Sequence, residues 1–329
     1  EMSGNHNQSL ERALEIVDAI AVSGAHALKL QTYTADTMTL DLNEGEFFID
    51  NPKSPWYGTS LYELYKVAYT PWEWHEEIFN RARQKGLIAF STPFDATAVD
   101  FLESLNVPAY KIASFENTDL ELIKKVASTG KPMIISTGMA TVAEIDDAVR
   151  TARTAGCKDL IILKCTSNYP ASPLSSNLLT IPHMKALFDC EVGLSDHTLG
   201  IGAAVASVAL GATVIEKHVT LSREEGGVDA DFSLEPAELK QLVQETQTAW
   251  QSLGKVQVGP TEEELASKVF RRTLYICEDL KKGEQLTPKN LRAIRPGHGL
   301  PVKYLNQLLG KRVITDVKRG TRMHWDLVT

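Results

Sequence analysis

The chain has 329 residues, 43% hydrophobic and 23% charged, with 21 glycines and 14 prolines. At roughly 100–200 residues per domain, this length predicts two domains or one large barrel with an appendage, and the composition excludes disorder and collagen. Net charge is −8, from 34 Lys+Arg against 42 Asp+Glu. That balance argues against nucleic acid or an anionic membrane as the main partner, so an anionic ligand would need a local cationic pocket.

Short apolar runs alternate with amphipathic stretches up to about residue 250. After Ser9, a candidate cap, Leu10, Ala13, Leu14, Val17 and Ile20 fall on one face at helical spacing. His26-Ala-Leu-Lys-Leu-Gln31 reads as a strand, followed by a long loop and a helical pattern from Leu61 to about Arg83. Further strands are expected at Leu87–Ser91, Ala109–Ala113, Met133–Ser136, Leu160–Cys165, Glu191–Leu194 and Thr213–Lys217. Helical patterns follow at 118–129, 141–155, 199–209 and 236–250. Counting a strand that would end at Glu1, there are eight βα units. Alternation of this kind predicts a parallel sheet, and eight units predict a (β/α)8 TIM barrel. A doubly wound open sheet would call for a glycine-rich phosphate turn, and none is found. Because Glu1 rather than Met stands first, sequence upstream is expected.

After Trp250 the pattern changes. The barrel is expected over residues 1–250, and residues 251–270, punctuated by Gly254, Gly259 and Pro260, read as a linker. Residues 271–329 alternate short strands with basic turns and predict a small β-rich domain. Cys157, Cys165, Cys190 and Cys277 form no CxxC pair, which predicts reduced thiols and a cytoplasmic protein. No apolar run reaches the ~18 residues of a membrane span, and no signal sequence is visible.

Barrel strands point side chains alternately inward and outward, and barrel sites lie at their C-terminal ends. In Ala27-Leu-Lys-Leu-Gln31 the leucines share one parity, which turns Lys29 and Gln31 inward. An unpaired buried ammonium is costly, so such a lysine calls for an anionic partner. Polar residues close the other strands as well: Lys111 and Ser114, then Ser136, then Thr166, Asn168 and Tyr169, then Ser195 and His197, then Glu216 and His218. Lysine supplies point charge and serine supplies directed donors, a combination suited to phosphate or carboxylate. His197 and His218 close neighbouring strands, which lie roughly 4.8 Å apart. Two converging imidazoles with oxygen donors suit Mn²⁺, Fe²⁺ or Zn²⁺, and Mg²⁺ less well.

Glu1-Met-Ser-Gly-Asn-His-Asn7, Lys29-Leu-Gln31, Ser91-Thr-Pro-Phe94, Tyr110-Lys-Ile-Ala-Ser114, Ser136-Thr-Gly-Met139, Cys165-Thr-Ser-Asn-Tyr-Pro170, Gly193-Leu-Ser-Asp-His-Thr198 and Glu216-Lys-His218 resemble the nonulosonate (sialic acid) synthase family. Lys282-Gly283 and Arg295-Pro-Gly-His-Gly299 resemble that family's antifreeze-like (SAF) domain. Gln31–Asp36, Trp56–Tyr62, Thr70–Trp74 and Gly227-Val-Asp-Ala-Asp-Phe-Ser233 look most like its pseudaminate branch; the neuraminate branch usually has Gly-Pro-Asp-His where Gly227–Ala230 stands.

The resemblance implies condensation of phosphoenolpyruvate with the open-chain aldehyde of an acetamido sugar, with Mn²⁺ or Mg²⁺ as cofactor. It implies phosphoenolpyruvate contacts from Lys29, Thr92, Lys111, Ser114, Ser136 and Ser195, and metal ligation by His197 and His218. Gln31, Glu116, Asn168, Tyr169 and Asp229 would complete the substrate set, with Arg295 arriving from the partner of a domain-swapped homodimer. Glu1 is the candidate to position water or move its proton. The family carries a strand leading into that glutamate, so the first strand is expected to be incomplete. The implied acceptor is a 2,4-diacetamido-2,4,6-trideoxy-altrose. The alternatives are a neuraminate or legionaminate synthase and, from another class, a carbohydrate- or ice-binding protein without catalysis; the last leaves the barrel's lysines and histidines without a purpose.

Overall fold

The computed structural model describes Glu1–Thr329 as two compact units, Glu1–Gly254 and Lys255–Thr329. In the first, seven strands run parallel in chain order: β1 (Ala27–Thr32), β2 (Ile88–Pro93), β3 (Tyr110–Ile112), β4 (Met133–Ser136), β5 (Leu160–Cys165), β6 (Glu191–Asp196) and β7 (Val214–Lys217). The expectation was eight strands, and seven are present. The opening backbone takes the eighth place: Met2 N–H donates to Lys29 O, Glu1 nitrogen to Lys217 O, and Val219 N–H to Glu1 O. Two residues thus bond to both edges of the curled sheet, too short a segment to count as a strand.

Ser9 caps the helix Leu10–Ser23 by accepting from the Arg12 N–H, and that helix buries Ala13, Ile16, Val17 and Ile20. Thr141 and Glu144 form a capping box at the start of Val142–Thr154. The helix expected over 61–83 is two helices, Leu61–Ala68 and His75–Gln84. Pro71 lies between them and lacks the N–H that a continuous helix needs. Helices at Ala96–Ser104 and Thr180–Phe188 are present in addition to those expected. One core unites the helix faces with strand residues of outward parity, among them Leu28, Leu30, Ile112 and Ile162.

In the second unit, β8 (Thr273–Ile276) pairs antiparallel with β9 (Leu291–Ile294). Single bridges Thr273–Pro301 and Tyr275–Arg322 flank β8, and others such as Leu280–Val317 and Val313–Val328 tie the surrounding turns together. Leu274, Ile276, Leu286, Leu291, Leu308 and Met323 fill a separate core. Within 251–270 the chain is not uniformly irregular, since Thr261 and Glu264 cap a short helix at Glu262–Leu265. No helix of the chain is long and apolar enough to cross a membrane.

Candidate active site

Alternation along the strands sends one set of side chains to the core and the other into a cavity of about 310 Å³ at the strands' C-terminal ends. Lys29 and Gln31 enter from β1, Thr92 from β2, Lys111 from β3, Ser136 from β4, Ser195 from β6 and Glu216 from β7. Ser114 and Glu116 follow from the turn after β3. Ser114 is held there because its hydroxyl accepts from the Gly138 N–H at 3.0 Å. A Cβ at Gly138 would stand 2.1 Å from Ser167 Oγ and 2.6 Å from Ser114 Oγ, so only glycine lets these two serines close around it.

Glu216 is the electrostatic centre of the floor. Its carboxylate lies 3.5 Å from Lys29 Nζ and 3.3 Å from Lys111 Nζ, and it accepts from the Ser195 hydroxyl at 2.9 Å. Burial pushes this carboxyl up, but the two ammoniums outweigh it and hold the group well below the usual carboxylate range. Lys29 also pairs with Glu1 and donates to Thr92 Oγ1 at 3.3 Å. Burial drives Lys29 down to about 7, with Lys111 pushing the same way and Glu216 opposing. Glu116 moves in the other direction, raised to about 7 by burial. Glu1 Oε1, Glu116 Oε2 and Ser136 Oγ are buried without a partner. An unmet buried polar atom costs about 1–3 kcal/mol. Three such atoms in the lining of one cavity mark it as built for a polar ligand.

His197 and His218 follow β6 and β7 directly, their rings 5.4 Å apart. The His197 Nδ1–H donates to the Thr166 carbonyl at 3.1 Å, and His218 Nδ1 meets Ser3 Oγ at 3.4 Å and Asp229 Oδ2 at 3.6 Å. These contacts leave each Nε2 as the free ring nitrogen, the orientation a metal-binding imidazole takes. Burial, with His197 next, holds His218 well below its ordinary value, so it is neutral and able to ligate. No group of three His, Cys, Asp or Glu converges as a complete metal site. Two imidazoles with free Nε2 atoms on neighbouring strands fit an ion whose other positions would fall to water or substrate oxygen.

The opening residues anchor the loop that carries Asp229. Asn5 accepts from the Asp229 N–H at 3.3 Å and donates to Val219 O and Ser233 Oγ, while Asn7 donates to Gly226 O. Gly4 allows close approach, since a Cβ there would lie 2.4 Å from Val228 Cγ2 and 2.8 Å from Ala68 O.

Most of the residues singled out from sequence therefore line one cavity: Glu1, Lys29, Gln31, Thr92, Lys111, Ser114, Glu116, Ser136, Tyr169, Ser195, His197, His218 and Asp229. Asn168 does not; it is exposed and outside the lining. Neighbouring residues of extended chain point opposite ways, and here Tyr169 takes the inward direction. Arg295 is exposed and belongs to the second unit, directly after β9. Sequence reasoning placed Glu216 on the rim without a role of its own and gave none to Cys165 or Trp56; all three line the cavity. For Glu216 the signal was present in its shared parity with His218.

A model of the NeuB family matches residues 16–258, and one of the SAF domain matches residues 271–329. The chain belongs to the NeuB family. It is 42% identical to the pseudaminic acid synthase of Campylobacter jejuni, over 97% of this chain and 93% of that protein. To the pseudaminic acid synthase of Helicobacter pylori it is 41% identical, over 99% and 96% respectively. Among solved structures, the N-acetylneuraminic acid synthetase of Leptospira borgpetersenii in complex with citrate superposes with a TM-score of 0.71 at 31% identity, covering 80% of this chain and 87% of that one.

Proposed function

We propose that this chain condenses phosphoenolpyruvate with the open-chain aldehyde of 2,4-diacetamido-2,4,6-trideoxy-β-L-altropyranose, the activity of a pseudaminic acid synthase. The observation that carries the reading is the cavity floor, where two buried lysines, a ring of hydroxyls and two neighbouring imidazoles meet. Near 42% identity to pseudaminic acid synthases along almost the whole chain supports the acceptor.

Lys29, Thr92, Lys111, Ser114, Ser136 and Ser195 bind the phosphate and carboxylate of phosphoenolpyruvate. Their contribution is preorganised charge and donors in a dry site. C3 of phosphoenolpyruvate attacks the aldehyde carbon with the C2–C3 π electrons, forming the new C–C bond while the aldehyde oxygen takes up a proton from water. Positive character at C2 then accepts a water oxygen, whose proton leaves to the Glu1 carboxylate. The tetrahedral adduct collapses with cleavage of the C2–O bond, releasing phosphate and a 2-oxo acid. Gln31, Glu116, Tyr169 and Asp229 orient the sugar. Mn²⁺ or Mg²⁺ held by His197 and His218 would supply Lewis acidity toward the aldehyde oxygen. Charge supports such an ion: the lysines are already balanced by Glu1 and Glu216, and phosphoenolpyruvate brings several further negative charges.

The same reading assigns residues 1–250 to catalysis, 251–270 to a linker and 271–329 to the SAF domain, in a cytoplasmic enzyme. It makes the catalytic unit a homodimer in which Arg295 of one chain completes the partner's site. Fully exposed Val256 and Val258 in the linker support a further contact. Mixing Lys111→Ala with Arg295→Ala should restore activity in heterodimers, and heterodimers without activity would refute the exchange. The reaction itself is tested by phosphate release from phosphoenolpyruvate across a panel of acetamido sugars, with and without chelator. Metal-free binding without turnover would oppose it.

A further inference from the structure

The cavity has a second half that the bond-making chemistry does not use. Besides the charged groups, the lining holds an apolar set, Met38, Ile49, Trp56, Leu61, Leu64 and Val228, here called the apolar wall. Trp56 carries the only strong donor in that set, and its Nε1–H is spent on Val228 O at 2.9 Å. The indole therefore turns hydrocarbon toward the ligand. Met38 and the pair Leu61 and Leu64 come from the helices Ala35–Met38 and Leu61–Ala68, while Ile49, Trp56 and Val228 come from two loops that this hydrogen bond joins. Ile49 and Trp56 lie in a loop pinned by Ile49 N–H to Thr59 O at 2.9 Å and Gly58 N–H to Ile49 O at 3.0 Å. Val228 sits over Gly4 in the loop anchored by Asn5 and Asn7.

The position of this wall relative to the imidazoles identifies its ligand. Tyr169 stands between the two halves, with its ring 4.5 Å from His197 on one side and 5.9 Å from Trp56 on the other. The wall thus begins one aromatic ring beyond the histidines. With the aldehyde carbon at the histidines, the far end of an extended sugar chain reaches the wall. A hydroxyl arriving there would give up its water partners and gain none, whereas a methyl group would only shed water.

We propose that Ile49, Trp56 and Val228 are specificity-determining residues that seat the terminal methyl of a 6-deoxy acceptor and disfavour acceptors carrying a 6-hydroxyl. The inference rests on the reaction assigned above. Its magnitude is modest, because an apolar pocket rejects a ligand with one added hydroxyl by only about 10²-fold.

The test uses full-length enzyme with saturating phosphoenolpyruvate and Mn²⁺. It compares kcat/KM for 2,4-diacetamido-2,4,6-trideoxy-altrose with that for its 6-hydroxy counterpart of the same configuration. Wild type should favour the 6-deoxy sugar by about 10²-fold. Val228→Thr, which keeps the shape and adds a hydroxyl, should cut this ratio to below about 10 while leaving the KM for phosphoenolpyruvate unchanged. Ile49→Thr, on the other loop, provides an independent variant if the first does not fold. A wild-type ratio near unity, or a full ratio retained in folded variants, would overturn the proposal while the reaction assignment stands. If neither sugar supports phosphate release, the reaction assignment fails, and the inference falls with it.

Discussion

Replacing Lys111 with methionine removes a charge without emptying much volume, and its effects on stability and on rate can be worked separately. The lysine is 2% exposed and 3.3 Å from Glu216, so solvent screens the pair little. Removing one partner of a buried pair typically costs about 3–5 kcal/mol. Glu216 keeps Lys29 at 3.5 Å and the Ser195 hydroxyl at 2.9 Å, which points to the lower end. For a unit of this size, about 3 kcal/mol lowers Tm by roughly 6–12 °C. The catalytic loss is a different quantity. One missing preorganised donor to developing or bound negative charge costs about 10²–10³ in rate. Thermal unfolding and steady-state phosphate release, measured well below the variant's Tm, report the two effects independently. A folded Lys111→Met enzyme whose kcat/KM for phosphoenolpyruvate stays within tenfold of wild type would refute the placement of the anion site.

Three further outcomes follow from the same geometry. Lys29, lowered to about 7 in the free enzyme, is mostly neutral at pH 8, and an arriving phosphate raises its affinity for a proton. Phosphoenolpyruvate binding at pH 8 should therefore take up protons, seen by calorimetry in buffers of different ionisation enthalpy, and Lys29→Met should reduce that uptake to the share carried by Glu116 and Cys165. His197→Ala and His218→Ala should each lose Mn²⁺ binding, read by titration calorimetry, while melting within a few degrees of wild type; unchanged Mn²⁺ affinity in either would remove that residue from the metal site. Gly4→Ala should destabilise the barrel by about 1–3 kcal/mol, because the new methyl meets Val228 and the Ala68 carbonyl below contact distance. A melt unchanged from wild type would show that the loop yields freely.

The regular part of the first unit was legible because its chemistry is periodic. Met133–Ser136 and Leu160–Cys165 are apolar runs bounded by turns, and the strands span those residues. The parity of Lys29 and Gln31 against Leu28 and Leu30 likewise separates cavity from core along β1 in sequence alone. Legibility ended where position depends on a few loop dihedrals. Asn168 and Tyr169 are adjacent, and no local pattern says which turns inward. Helix 61–83 looked continuous because apolar spacing survives across Pro71, while the backbone does not. The apolar wall was hidden for another reason: Ile49, Trp56 and Val228 lie in loops without helical or strand periodicity, and the contact that joins two of them, Trp56 to Val228, spans 172 residues. Glu216 shows the reverse case. Its parity was visible, but its meaning needed both lysines in place around it.

The central claim is that this cavity joins phosphoenolpyruvate to a 6-deoxy diacetamido sugar aldehyde with loss of phosphate. The most direct test incubates the purified chain with phosphoenolpyruvate, Mn²⁺ and either 2,4-diacetamido-2,4,6-trideoxy-altrose or N-acetylmannosamine, following phosphate release and the product mass together. The account predicts stoichiometric phosphate and a chain-extended 2-oxo acid with the first sugar, at a kcat/KM far above that for the second. Equal kcat/KM for the two sugars, or phosphate released without a condensed product, would contradict it.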